Sequence, residues 1–135
     1  MVVYLDANIF IFPVLHKDGR SDKALAILKD MNLGKFQGIT SALTIDEVSW
    51  ALIKETRNRA FAIQECLEIF KFDNLEIVAV DKHILFDAMQ LMKKYQTLKP
   101  RDAIHIITSL RNNTTLFISD DSDFDIVKEI KRKPL

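Results

Sequence analysis

The stretch VVYLD, residues 2–6, is the part of this sequence that decides the fold. Its first four residues form a short apolar run rich in β-branched side chains, which is typical of a strand covered on both faces of a parallel sheet. Asp6 follows this strand directly, and residues 7–12 stay largely apolar. An Asp after a strand often only starts a turn. A carboxylate in surroundings this apolar, however, needs a partner or a cation, so the pattern favours a functional Asp6.

Further along the chain, strand-like segments alternate with helical ones. Residues 75–80 (LEIVAV) predict a buried strand, and residues 115–119 predict the last strand. The spacing of apolar residues and the capping signals predict helices that begin at Ser21 or Asp22, at Thr40 or Ser41, at residue 59, after Asp81 and at Pro100. A short helix is predicted over residues 124–130. This alternation predicts a three-layer α/β/α fold with a central parallel sheet, as a single domain over residues 1–135.

Composition and charge exclude several classes of protein. The chain has 135 residues, 48% of them hydrophobic, which describes a globular domain rather than a disordered chain. The formal net charge is zero, which argues modestly against a protein that coats nucleic acid but not against a nuclease with an acidic pocket. A single cysteine, Cys66, excludes an internal disulfide and a cysteine-based zinc site. Without a signal peptide or an apolar run long enough for a bilayer, we expect a soluble cytoplasmic protein.

Carboxylates recur in three further stretches: TIDEV (44–48), KPRDAIH (99–105) and SDDSDFD (119–125). Asp120 and Asp121 follow a predicted strand, as Asp6 does, so we expect these acids at the same edge of the sheet. Carboxylates packed together raise one another's pKa, and a divalent cation with oxygen ligands relieves that repulsion. The sequence therefore predicts a metal-dependent acidic pocket of a kind suited to phosphodiester chemistry.

The helical acids differ in how strongly their positions indicate a function. Glu47 shares a face of its helix with core-facing apolar residues, whereas Asp46 is rotated away towards solvent. Asp102 lies in the first turn of its helix, where an acid is favoured electrostatically without any function. Only its combination with the other acids makes it a candidate. His105 is one turn further on and could share a metal with Asp102, but isoleucines flank it, so a hydrogen-bonded core histidine is the favoured interpretation.

The stretch SDDSDFD does not by itself reveal which of its acids would hold a metal. Asp120, Asp121 and Asp123 cannot all be ligands, and the spacing of a calcium-binding EF-hand loop is absent. Asn8, two residues after Asp6, could orient a carboxylate or a metal-bound water, or form a local turn hydrogen bond.

Taken together, LDANIF, SALTIDEV, KPRDAIH and SDDSDF resemble the four sequence blocks of the PIN-domain family, and within it the small VapC-type toxin ribonucleases. The resemblance runs from Asp6 to Phe124 and implies Mg²⁺ or Mn²⁺ at the acidic pocket. By position it implies catalytic and metal-binding roles for Asp6, Glu47, Asp102, Asp121 and Asp123, supported by Asn8 and Ser119. Ser119 stands where the family pattern has a threonine, and no acid departs from the pattern.

The same resemblance implies a metal-dependent endoribonuclease, the toxin of a type II toxin–antitoxin pair, that forms a homodimer and binds a small antitoxin. Asp6 and Asp102 would hold the main ion, Asp121 or Asp123 a second ion or a bridging water, and Glu47 would be a ligand or a general base. Basic residues close to Asp102 could guide the RNA backbone or simply form solvated helix ends: Lys93, Lys94, Lys99 and Arg101.

Two questions stay open at the level of sequence. A catalytically silent PIN-like module that binds RNA or a partner protein is the alternative to an enzyme. The aromatic residues of the middle of the chain are compatible either with an interface or with the core: Trp50, Phe61, Phe70 and Phe72.

Overall fold

A computed structural model describes all 135 residues of the chain. A five-stranded parallel sheet lies between two layers of helices. The strands are β1 (Val2–Leu5), β2 (Gln37–Ser41), β3 (Leu75–Val78), β4 (Leu116–Ile118) and β5 (Arg132–Lys133), in the spatial order β3-β2-β1-β4-β5. The helices are α1 (Asn8–Leu15), α2 (Gly19–Asn32), α3 (Ala42–Thr56), α4 (Arg59–Ile69), α5 (Lys82–Lys94) and α6 (Pro100–Arg111), with a 3₁₀ helix at Ser122–Ile126. The predicted α/β/α architecture is confirmed.

The first strand occupies the centre of the sheet and separates two hydrophobic cores. Val3 and Leu5 point into the core formed with α1, α2, α3 and α4, whereas Tyr4 points into the core formed with α5 and α6. All three side chains are almost fully buried. Because side chains alternate along a strand, Asp6 continues on the face of Tyr4, towards α6. The short run VVYL therefore sets both cores and the direction of the first acid.

Three elements are missing from the sequence-based prediction. The helix α1 is apolar on all sides and contains Pro13, so it shows no helical periodicity. The strand β2 contains Gln37 and Gly38 and ends in hydroxyl residues that resemble a helix cap. The strand β5 has only two residues, both basic, and the carbonyls of Lys131 and Lys133 accept hydrogen bonds from the backbone N–H groups of Phe117 and Ser119.

Other boundaries need correction. The helix α2 is capped by Asp18, which accepts hydrogen bonds from the backbone of the first turn at 3.0 and 3.4 Å, and not by Ser21 or Asp22. The strand β3 is half-buried rather than buried because it lies at the edge of the sheet. The last helix is a 3₁₀ helix that ends at Ile126, short of residue 130. The other predicted helix starts are confirmed.

None of the helices combines the length and the apolar character that a membrane crossing requires.

Candidate active site

Asp6 lies at the carboxyl end of β1 and is 7% exposed. Its backbone N–H donates to the carbonyl of Ile118, which extends the pairing of β1 with β4 by one residue. Its Oδ1 accepts from the backbone N–H of Ala7 at 2.8 Å, and its Oδ2 accepts from Ser119 Oγ at 2.6 Å. Burial raises the pKa of Asp6, although His105 and these hydrogen bonds counteract the rise. The carboxylate expected to need a partner is thus buried and hydrogen-bonded.

Asn8 and Ser119 connect the ends of β1 and β4 around this carboxylate. Asn8 Nδ2 donates to Ser119 Oγ at 3.2 Å and lies 3.5 Å from Asp6 Oδ2. Asn8 Oδ1 accepts from the backbone of Asp120 at 3.4 Å, and Ser119 Oγ accepts from the backbone of Asp121 at 3.1 Å. The acids after β1 and β4 are therefore held at one edge of the sheet, as expected.

Glu47 reaches the same site from α3. Its side chain is 22% exposed, and its Oε1 is hydrogen-bonded to Nε2 of His105 on α6. Nε2 of His105 also lies 3.6 Å from Asp6 Oδ1, and one ligand-type atom from each of these three residues falls within a span of 4.8 Å. Asp46 is exposed, in agreement with the prediction that Glu47 and not its neighbour faces the pocket.

His105 is the residue of this site that the sequence analysis did not select. The ring is hydrogen-bonded in the core, as expected, but it also borders the acids. The available signal was its spacing of three residues from Asp102, which places both on one face of α6. Burial lowers the pKa of this imidazole, but the hydrogen bond with Glu47 and the charge of Asp6 outweigh burial, so the pKa is raised from its usual value.

Asp102 is half-buried at the start of α6, and its pKa is raised to about 6. Burial is the largest cause, followed by the charges of Asp121 and Asp6, with a smaller contribution from Glu47. The charge of His105 acts in the opposite direction. Burial and neighbouring acids together therefore make the ionised form of Asp102 unfavourable in the fold.

The acids after β4 take different positions. Asp121 is half-buried, caps the 3₁₀ helix by accepting from the backbone of Asp123 at 2.9 Å, and acts electrostatically on Asp102. Asp123 is exposed and borders, together with Asp102, a cavity of about 250 Å³. The structure therefore brings Asp6, Glu47, Asp102 and Asp121 together and leaves Asp123 at the rim.

The basic residues near Asp102 are all exposed. Lys99 and Arg101 lie at the start of α6, on either side of Pro100, whereas Lys93 and Lys94 end α5. Lys94 Nζ is 3.5 Å from Glu129 Oε1. Lys99 and Arg101 are therefore the two exposed cationic residues that lie closest in sequence to Asp102.

The donor set fits a hard divalent cation. Carboxylate oxygens are the ligands that Mg²⁺ and Mn²⁺ prefer, and four carboxylates converge here. A cation would also relieve the repulsion that, together with burial, raises the pKa of Asp102.

Comparison with known proteins identifies a matching family and solved structures with a similar fold. The family model described as PIN domain matches residues 3–130. Ribonuclease VapC13 of Mycobacterium tuberculosis is 25% identical over 131 residues, which cover 97% of this chain and 98% of that protein. The crystal structure of VapC20 of Mycobacterium tuberculosis, described as a sarcin–ricin loop cleaving toxin, superposes with a TM-score of 0.75 at 13% identity, covering 93% of this chain and 95% of that one. The crystal structure of VapBC2 of Rickettsia felis, bound to promoter DNA, superposes with a TM-score of 0.71 at 16% identity, covering 99% of this chain and 98% of that one.

Replacement of Asp102 tests whether its ionised carboxylate destabilises the fold. Asp102→Asn is expected to stabilise the metal-free protein near neutral pH. The pKa of Asp102 is about 6 in the fold against 3.8 ordinarily. The stability linked to this group is thus fully present below about pH 3.8 and is lost as the pH rises through about 6. Because the group is half exposed, solvent screening reduces the effect, and we expect a gain of about 1 kcal/mol in the free energy of unfolding at about pH 7.5.

Urea denaturation in EDTA at about pH 7.5 and about pH 4.5 measures this difference, which should shrink at the lower pH. The exposed Asp46→Asn is the matched control and should stay within about 0.5 kcal/mol of the parent. An Asp102→Asn variant less stable than the parent at neutral pH would contradict the proposed repulsion.

Proposed function

This chain belongs to the PIN-domain family, and on that premise we propose that it is a metal-dependent endoribonuclease that hydrolyses RNA phosphodiester bonds. We further propose that it is the toxin of a type II toxin–antitoxin pair and acts in the cytoplasm. The observation that carries the proposal is the buried, hydrogen-bonded carboxylate of Asp6, with Glu47 and Asp102 converging on it. The names of the matched relatives, ribonucleases and toxin–antitoxin proteins, support the same activity.

The proposed catalytic and metal-binding residues are Asp6, Glu47, Asp102, Asp121 and Asp123. A bound Mg²⁺ or Mn²⁺ would lower the pKa of the attacking water and neutralise phosphate charge. Asp6 and Asp102 would hold the main ion, and Asp121 or the more peripheral Asp123 would hold a second ion or a water.

The protein itself orients the carboxylate of Asp6 and provides an acceptor for the proton of the attacking water. Ser119 and the backbone N–H of Ala7 each hold one oxygen of Asp6, so its carboxylate plane is fixed before substrate binds. Glu47 is hydrogen-bonded through Oε1, and its Oε2 would accept the proton of the attacking water as general base. Lys99 and Arg101, exposed at the start of α6, would bind backbone phosphates on the way to Asp102.

We also propose two protein partners, a cognate antitoxin and a second copy of the chain. The support is the apolar surface of the helical hairpin formed by α3 and α4. Trp50 is 65% exposed and Phe70 is 60% exposed, and other large apolar side chains of α4 are exposed as well: Phe61, Ile63 and Leu67. Phe72, in contrast, is half-buried against the core. Exposed apolar surface of this kind marks protein–protein contact sites. A solved toxin–antitoxin complex from Klebsiella pneumoniae, which superposes with a TM-score of 0.67 at 21% identity, supports the antitoxin as a partner.

Cleavage of RNA tests the activity. The purified protein is expected to cut an end-labelled mixed RNA pool with Mg²⁺ or Mn²⁺ and to leave it intact in EDTA. Asp6→Asn should lower the cleavage rate by about 100-fold or more, because loss of residues that merely support metal ligands already costs 10- to 100-fold. Asp46→Asn, the exposed neighbour of Glu47, should cleave like the parent.

Two outcomes would contradict the assignment. Asp6→Asn cutting as fast as the parent would show that the acidic site is not the catalytic centre. A folded parent that binds RNA saturably in the presence of metal but produces no new ends with any RNA of the pool would favour a catalytically silent binding module.

Sedimentation velocity tests the dimer. The parent is expected to sediment at twice the mass of one chain at micromolar concentration, since exposed apolar side chains such as Trp50 and Phe70 favour self-association. A single monomeric species up to the highest concentration measured would show that the proposed homodimer is wrong.

A further inference from the structure

His105 connects the acidic site to the core and is hydrogen-bonded at both ring nitrogens. Its Nδ1 lies 2.5 Å from the hydroxyl oxygen of Tyr4, and its Nε2 is bonded to Glu47 Oε1. The imidazole is 1% exposed, and Tyr4 is completely buried. None of the roles assigned above uses this ring, although its Nε2 is bonded to Glu47 and lies 3.6 Å from Asp6 Oδ1.

The direction of the hydrogen bond to Glu47 follows from the chemistry of its partners. An ionised carboxylate can only accept, so Nε2 must carry the hydrogen. This holds for the neutral ring, in which Nδ1 accepts from the Tyr4 hydroxyl, and equally for the protonated ring, in which Nδ1 donates to it. A nitrogen that carries a hydrogen has no lone pair left for a metal. In this hydrogen-bonded arrangement the close grouping of Asp6, Glu47 and His105 offers a metal carboxylate oxygens but no nitrogen lone pair.

The sheet holds the other end of the imidazole rigidly. Tyr4 lies in β1, with its ring stacked on Phe117 of β4 at 4.8 Å and an interplanar angle of 12°. Phe117 in turn packs against Phe124 of the 3₁₀ helix at 4.7 Å. Burial, and then the charge of Asp6, raises the pKa of Tyr4 well above its usual value, so the hydroxyl keeps its hydrogen. Nothing in this arrangement can reorient without disturbing the centre of the fold.

We propose that His105 is a positioning residue, which Tyr4 orients from the core and which holds Glu47 Oε1 so that the second carboxylate oxygen faces the substrate side of the site. The inference rests on the proposed nuclease function for its catalytic consequence, but not for its hydrogen-bond geometry. It assigns to the pair Tyr4–His105 the same task for Glu47 that Ser119 and Asn8 perform for Asp6.

Three substitutions separate this role from its alternatives. His105→Gln keeps a donor nitrogen near the position of Nε2, His105→Leu removes the donor while filling the space, and Tyr4→Phe removes only the hydroxyl and keeps the stacked ring. The exposed His83→Gln is the matched control. Thermal melting first establishes which variants fold.

The expected results follow from the loss of orientation at Glu47. His105→Leu should lower kcat by about 10- to 100-fold with KM for RNA changed by no more than about two-fold, because it removes an interaction that matters in the transition state. His105→Gln should recover most of that loss, and Tyr4→Phe should show a smaller loss. A folded His105→Leu variant with parental kcat would overturn the proposal.

Two spectroscopic measurements on the parent chain need no activity. Long-range ¹H–¹⁵N correlation of the metal-free protein is expected to show a hydrogen on Nε2 of His105. Pulsed electron paramagnetic resonance of the Mn²⁺-loaded protein is expected to show no directly bound histidine nitrogen. An Nε2 without hydrogen, or a nitrogen coupling that disappears in His105→Leu, would make His105 a metal ligand and overturn the positioning role.

Failure of the proposed function gives a different pattern. In that case the parent leaves all RNA intact, while the hydrogen on Nε2 is still observed. If His105→Leu does not fold, the parent spectra and the kcat of Tyr4→Phe still decide the question, since Tyr4→Phe keeps the packing of the core.

Discussion

The burial of one carboxylate at the end of the central strand is the constraint on which the rest of this structure depends. A polar group removed from water without partners costs roughly 2–7 kcal/mol, and an unpaired charge costs far more. At Asp6 that cost is offset by a backbone N–H, by the hydroxyl of Ser119 and by the approach of Asn8. The first and third of these partners are local to Asp6 in the chain, but Ser119 reaches it only because β4 lies beside β1, so the order of the strands completes the acidic site.

Two acids of the site are held by hydrogen bonds, whereas a third is not. Asp6 is fixed by short hydrogen bonds within the sheet, and Glu47 by a histidine that reaches back to Tyr4 in the core. Burial, and then the charges of Asp121 and Asp6, raise the pKa of Asp102 to about 6, and Asp102 forms no ion pair. Hydrogen bonds from Ala7, Ser119 and His105 thus hold Asp6 and Glu47 in place, whereas Asp102 forms no ion pair, an arrangement that favours binding of a cation beside these acids.

Much of this could be predicted from the sequence because its physical causes are local. An apolar run followed by Asp6 indicates a strand that ends in a buried acid, and helical periodicity distinguishes Glu47 from Asp46. The helix α1 could not be predicted in this way, since it is apolar on every side and carries Pro13. The strands β2 and β5 form through pairing with distant residues, which no local pattern reveals.

The position of His105 beside the acids likewise could not be predicted from the local sequence. Its isoleucine neighbours correctly indicated a buried, hydrogen-bonded side chain. Its partners Tyr4 and Glu47 are 101 and 58 residues away along the chain, so only the folded sheet shows that the buried ring also faces the acids. Likewise, the crowding of SDDSDFD left open which acid lies inward, and the turn after β4 is what directs Asp121 towards Asp102 and Asp123 to the rim.

An anomalous difference map from crystals of the protein soaked in Mn²⁺ would locate the metal site. We expect a peak within coordination distance of carboxylate oxygens of Asp6 and Asp102, and no such peak in Asp6→Asn crystals treated identically. A peak elsewhere on the surface, or full retention of the peak in Asp6→Asn, would contradict a metal site built around the buried carboxylate.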